Sequence, residues 1–194
     1  MTKLVTIFGG SGFIGRYIAH RMAKKGWRVR VAVRRPNEAI FVKTYGVVGQ
    51  VEPILCNIRD DASVGEALRG ADAVVNCVGI LIEDKKNTFV AVQQNGAERI
   101  GRLSTELGIK SLVHISAIGA DENSSSIYSS TKAKGENAIV SNFPNAVILR
   151  PSIVFGQEDQ FFNRFAKMAT IGPVLPLIGA STRFQPVFVD DVAK

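Results

Sequence analysis

The chain opens on a short apolar run, Leu4 to Phe8, that ends in the glycine cluster Gly9, Gly10, Gly12 and Gly15. Apolar positions then recur at helical spacing: Phe13, Ile14, Tyr17, Ile18 and Met22. The run predicts a buried strand. The stripe predicts a helix from Gly12 to Lys25, ended by Gly26. The alternation continues, with strands expected at Arg28 to Val33, Val51 to Leu55, Ala73 to Cys77, Ser111 to Ile115 and Ala146 to Leu149. Helices are expected at Ser63 to Leu68, at Thr88 to Leu107, from near Ile127, and at Asp159 to Ala169. A Gly/Pro-rich stretch from Gly172 to Gly179 and an extended piece from Gln185 to Val189 follow, with a new helix after Asp190-Asp191. Apolar strands alternating with helices argue for a parallel sheet covered on both faces. The expected fold class is therefore α/β, a doubly wound parallel sheet of Rossmann type, as one domain over 1–194. Ligands of such sheets bind at the carboxyl ends of the strands.

The glycine turn supplies the first candidate chemistry. A strand, a tight turn and a helix start leave backbone N–H groups free at the positive end of the helix dipole, which favours a phosphate. Gly9 allows the sharp turn, Gly12 close approach to a pyrophosphate, and Gly15 close contact between helix and strand. Ser11, Phe13 and Ile14 belong to the same candidate site. The spacing is G-x-x-G-x-x-G rather than the commoner G-x-G-x-x-G. A glycine-rich turn with no ligand is the alternative.

Arg34 and Arg35 end the second strand, where NAD-preferring folds carry an acidic residue for the ribose 2′-hydroxyl. Guanidinium groups suit a 2′-phosphate, so NADP(H) is expected over NAD(H). The alternative is that both arginines cover a solvated strand end. Asn57 and Ile58 follow the third strand, with Asn57 placed to meet an adenine edge or to form an Asx turn. Val78 and Gly79 form a turn near the expected dinucleotide.

A second constellation lies further along. Ser116 comes just past the fifth strand, and Tyr128 and Lys132, four apart, share one helical face. A nearby ammonium stabilises a phenolate, and it can also hold ribose hydroxyls. Ser116 can donate to a substrate carbonyl oxygen, and Tyr128 can pass a proton to or from that oxygen as a hydride moves. A surface tyrosine and lysine on an ordinary helix is the plain alternative.

Composition narrows the classes. The chain of 194 residues has 46% hydrophobic and 21% charged residues, as ordinary globular domains do. The 24 basic and 17 acidic residues give a net charge of +7. Solvated lysines account for that, with an anionic ligand or acidic neighbour as the alternative. No basic run suggests a nucleic-acid arm. Cys56 and Cys77 match neither a redox pair nor a zinc site and read as buried thiols of a reducing compartment. His20 reads as a surface residue and His114 as a core one, with no metal site near either. Asp60-Asp61 reads as a helix cap. Phe161, Phe162 and Phe165 read as packing residues rather than a quinone or lipid contact. No apolar run reaches the roughly 18 residues of a membrane span. The first strand starts too early to leave room for a signal or transit peptide, so the chain is expected to be cytoplasmic or already processed.

Together these motifs resemble the extended or atypical branch of the short-chain dehydrogenase/reductase superfamily. Gly9, Gly12 and Gly15 fit its glycine motif, Asn76-Cys77-Val78-Gly79 its Asn-x-Ala-Gly-like turn, and Tyr128 and Lys132 its YxxxK. Leu149-Arg150-Pro151-Ser152-Ile153-Val154-Phe155-Gly156 is similar to a segment that lies along the nicotinamide, which implies contacts from Pro151 and Ile153. Closer still is the resemblance to the complex I alpha-subcomplex subunit nine-like accessory family. Thr6 to Tyr17, His114-Ile115-Ser116, Ser124 to Tyr128, Lys132 to Glu136 and Phe155-Gly156-Gln157-Glu158-Asp159 carry it. That resemblance implies tight NADPH binding with no assigned turnover, and respiratory complex I subunits as partners at the inner face of a membrane. An active NAD(P)-dependent oxidoreductase or nucleotide-sugar epimerase/dehydratase using Ser116, Tyr128 and Lys132 is the alternative. A cofactor-sensing regulator is a third. Twelve positions separate Ser116 from Tyr128, short for the extended branch. Extended members also continue into a substrate-binding lobe, so the chain is expected to be a fragment lacking it.

Overall fold

In the computed structural model, which describes residues 2–170 and 181–194, β1 (Leu4–Phe8) is buried along its whole length. It lies mid-sheet between β2 (Arg28–Val33) and β4 (Ala73–Asn76). With β3 (Val51–Leu55), β5 (Ser111–Ile115) and β6 (Val147–Leu149) these form one parallel sheet in the order β3-β2-β1-β4-β5-β6. The order reverses beside β1, so the crevice at that reversal is where a doubly wound sheet binds its ligand.

Alternation along the strands splits the core into two layers. Val5, Ile7, Val29, Val31 and Val75 pack against Ile18, Ala19 and Ala23 of α1 (Phe13–Lys24). Phe8, Val74 and Leu112 face the other way. They meet Val64 and Leu68 of α2 (Asp61–Leu68), Ala97 and Ile100 of α3 (Asn95–Glu106), and Ile139 of α4 (Ile127–Asn142). Asp60 caps α2 by accepting from the Ser63 N–H at 2.7 Å, as expected. Asp61 instead pairs with Arg99 and Arg102 and ties α2 to α3.

Several elements depart from the pattern's expectation. The inner strands are covered on both faces, but the outer ones are not: Leu55 is 70% exposed and Val147 51%. Pro53 sits on the edge strand β3, where a missing N–H is tolerated. A 3₁₀ segment, Pro36–Tyr45, follows the arginine pair and buries Ala39 and Val42. The expected helix from Thr88 to Leu107 is a π-helical turn, Val90–Gln94, leading into α3. Beside it α4 comes very close, because a Cβ on Gly135 would stand 2.3 Å from the Gln93 carbonyl oxygen.

Beyond β6, β7 (Val154–Phe155) pairs with β8 (Val187–Phe188) in a small separate sheet. Of the extended piece expected at Gln185 to Val189, only these two residues are strand. Val189 already opens α6 (Val189–Ala193), one turn ahead of expectation, and Arg21 donates two 2.6 Å bonds to Asp190. Likewise α5 (Phe162–Ala169) starts later than Asp159, because the Asp159 carboxylate accepts from the Phe162 N–H at 2.7 Å and caps it. Phe161, Phe162 and Phe165 do touch one another edge-on, yet no residue of α5 is buried. The Gly172 to Gly179 stretch lies outside the described residues. Among the described residues no helix is long and apolar enough to cross a membrane.

Candidate functional site

A cleft of about 410 Å³ opens at the carboxyl ends of β1, β2, β3 and β4. Phe8, Gly9, Ser11 and Gly12 form its floor, Arg34 and Arg35 one end, and Asn57, Ile58, Val78 and Gly79 its walls. Nine of the residues expected at a dinucleotide thus line one cavity.

The glycines do what their positions require. Gly9 has φ +72°, and a Cβ there would lie 3.3 Å from the Cys77 backbone. A Cβ on Gly15 would stand 2.3 Å from the Gly9 carbonyl oxygen and 2.7 Å from the Gly10 Cα, so α1 reaches β1 through bare backbone. Gly12 is the N-cap and offers no side chain. The first helical bond runs from the Arg16 N–H to the Gly12 carbonyl at 3.0 Å. The N–H groups of Phe13, Ile14 and Gly15 therefore have no partner within the helix. Their side chains do not line the cleft: Ile14 joins the core and the Phe13 ring rests near Gly156.

Arg34 and Arg35 are both exposed. Glu38, which the sequence reading missed, also lines the cleft and pairs with Arg35 at 3.1 Å. Asn57 does close an Asx turn, accepting from the Arg59 N–H at 3.2 Å. Arg59 then donates to the Lys86 carbonyl at 3.0 Å and so holds the loop whose Asp84 and Asn87 also line the cleft. Cys56 and Cys77 line it as well, and burial pushes the Cys77 thiol up to about 12. Nothing in the local pattern marked these loop residues, because they act by position in the fold.

Ser116, Tyr128, Lys132, Pro151 and Ile153 stand outside that lining. Lys132 is its neighbour: its Nζ donates to the Ile115 carbonyl at 3.2 Å and would be 3.2 Å from a Cβ on Gly79. Burial lowers Lys132 to about 8. The Tyr128 ring meets Phe89 edge-on at 5.9 Å, and burial pushes its phenol up. That is the opposite direction from the phenolate expected beside Lys132. Ser116 is buried, and its Oγ has no hydrogen-bond partner among the described residues. Pro151 and Ile153 are engaged through their carbonyls by Ile118 and Val187. Among the described residues no group of His, Cys, Asp and Glu side chains could hold a metal ion.

The cleft fits an extended anionic ligand: uncapped N–H groups at one point, guanidinium groups at another, and walls of mixed polarity between. A nicotinamide dinucleotide, when bound, supplies or accepts a hydride. The chain's own part would be to bind phosphate at Gly9 to Gly15, with Arg34 and Arg35 at one end and Lys132 beside Gly79.

Comparison with known proteins agrees with this geometry. Over 192 residues the chain is 33% identical to NADH dehydrogenase [ubiquinone] 1 alpha subcomplex subunit 9, mitochondrial, of Dictyostelium discoideum, covering 98% of this chain and 53% of that protein. It is 28% identical to a ceramide reductase of Caulobacter vibrioides, over 98% of this chain and 58% of that one. The chain spans about half the length of these curated relatives. The solved structure of the Bordetella bronchiseptica enzyme WbmH in complex with NAD+ has the same fold, with a TM-score of 0.81 at 16% identity, covering 100% of this chain and 70% of that one. Residues 5–194 match the NAD dependent epimerase/dehydratase family, and the chain belongs to that family.

Proposed function

We propose that this chain is the dinucleotide-binding part of a complex I-associated accessory protein, and that it holds NADP(H) mainly as a structural ligand. The observation that carries this reading is the 33% identity, along nearly the whole chain, to a protein named as a subunit of NADH dehydrogenase [ubiquinone]. Arg34 and Arg35 at the cleft support NADP(H) over NAD(H), because a 2′-phosphate gains charge-assisted hydrogen bonds there. The relatives run to about twice this length, which supports a further lobe that selects any substrate.

A second reading has one observation in its favour. The buried Ser116 Oγ lacks a partner, as a donor kept for a substrate carbonyl would. In that reading the protein is an oxidoreductase or epimerase, Tyr128 moves the proton and Lys132 steadies the ribose.

Tyr128→Phe separates the two. The accessory reading expects NADPH affinity within about twofold of wild type and no oxidation by a panel of carbonyls and quinones in either form, since one hydroxyl contributes little to binding a ligand held by backbone. Turnover in wild type that vanishes in the variant would establish the enzymatic reading instead.

A further inference from the structure

His114 is the buried titratable group that the dinucleotide reading leaves unused. It lies in β5, 2% exposed, beside Asn76 at the end of β4. Asn76 Nδ2 and His114 Nδ1 are 3.0 Å apart. The other end of the same amide accepts from the Val78 N–H, at 3.0 Å. That second bond identifies the oxygen, so the NH₂ faces the ring. An amide NH₂ can only donate. Nδ1 therefore accepts, and the ring proton sits on Nε2, which has no partner among the described residues.

The bonds form a line from β5 across β4 to the turn lining the cleft: His114 to Asn76, Asn76 to Val78. On the other side of that turn, Gly79 lies against the Lys132 Nζ. We propose that His114, neutral and protonated at Nε2, is a positioning residue that orients Asn76 so that Asn76 fixes the Val78–Gly79 turn beside Lys132. The proposal rests on the dinucleotide reading in taking that turn as a ligand contact. A histidine that merely fills space would have no preferred acceptor nitrogen. Leucine, which removes the unpartnered N–H, would then replace it without consequence for the turn.

Nitrogen NMR of the full chain at neutral pH reads the tautomer directly. The expected result is a bare Nδ1 and a protonated Nε2; a proton on Nδ1, or a charged ring, overturns the proposal. Amide exchange reads the consequence. In His114→Leu the Val78 N–H should exchange about tenfold faster than in wild type, the loss expected when a buried bond's partner is freed. His114→Gln, whose carbonyl oxygen can accept from Asn76, should restore protection. Equal protection in all three chains overturns the proposal. NADPH titration should follow the same order, weakest in the leucine variant. Should the wild type bind no dinucleotide, the cofactor reading fails alone, and tautomer and exchange still decide the role of His114. Should the leucine variant not fold, the tautomer and the glutamine variant decide it.

Discussion

A histidine held in β5 between β4 and β6 gives up its charge: burial, with the nearby Lys132 ammonium, lowers His114 from its ordinary 6.5 to about 3. The unfolded chain takes up a proton on this ring below about 6.5, and the folded chain does so only near 3. Folding stability is therefore fully present above 6.5 and falls as the pH drops through that window. Urea unfolding from pH 7 down to pH 4 should show wild type losing about 1.4 kcal/mol more per pH unit than His114→Leu. Parallel curves would contradict the burial argument. The cofactor choice also lives at this scale. Replacing Arg34 and Arg35 together by alanine should weaken NADPH binding by about tenfold or more and leave NADH nearly unchanged, as loss of charged hydrogen bonds to one phosphate would. Equal effects on both nucleotides, measured by fluorescence titration, would mean the arginines only cover the strand end. Glycines and arginines were legible in the sequence because their chemistry is local. Glu38, three residues past Arg35 and paired with it, was not, since a lone carboxylate inside a 3₁₀ segment carries no periodic signal.

Elements meet through a few residues that tolerate no change. Gly15→Ala would push a methyl into the Gly9 carbonyl and lever α1 away from β1. It should lower stability by about 1–3 kcal/mol, read as a lower urea midpoint, and loosen the phosphate turn as well. A midpoint equal to wild type would show that the turn can shift. The Phe155 to Asp159 motif also finds its physical meaning here. Glu158 accepts from the Tyr17 hydroxyl at 2.8 Å and pairs with Arg16 at 3.5 Å, while Asp159 caps α5. Gly156 makes room for Val189 and the Phe13 ring. The motif thus clasps α1 to the second sheet, which joins stretches that stood apart in the sequence. Strands β1, β2, β3 and β5 were legible to the residue because each is a short segment rich in apolar, mostly β-branched residues with clear breaks on either side. The π turn at Val90–Gln94 was not, because it follows from how closely α4 passes at Gly135. Of the two-residue strands, β8 lies within the extended piece expected at Gln185 to Val189, whereas β7 was missed because pairing across more than thirty positions leaves no mark in so short a segment.

The whole molecule combines a preformed cleft with Ser116, Tyr128 and Lys132 outside its lining, Lys132 beside Gly79. Gly9, Arg34, Asn57 and Gly79 come from four different strand ends, yet they line one cavity, while Tyr128 and Ser116 stay outside it. A cradle built largely of backbone N–H groups, with guanidinium groups at one end, suits a phosphate-bearing ligand. A structural ligand binds the native state alone and so raises its stability, and it leaves slowly. The measurement that tests this most directly is the cofactor content of the purified full-length protein, with bound nucleotide released, identified, and its exchange against added NADP(H) timed. The account predicts near-stoichiometric NADPH exchanging over hours. Rapid exchange coupled to oxidation by a carbonyl or quinone, or NAD(H) in its place, would contradict it.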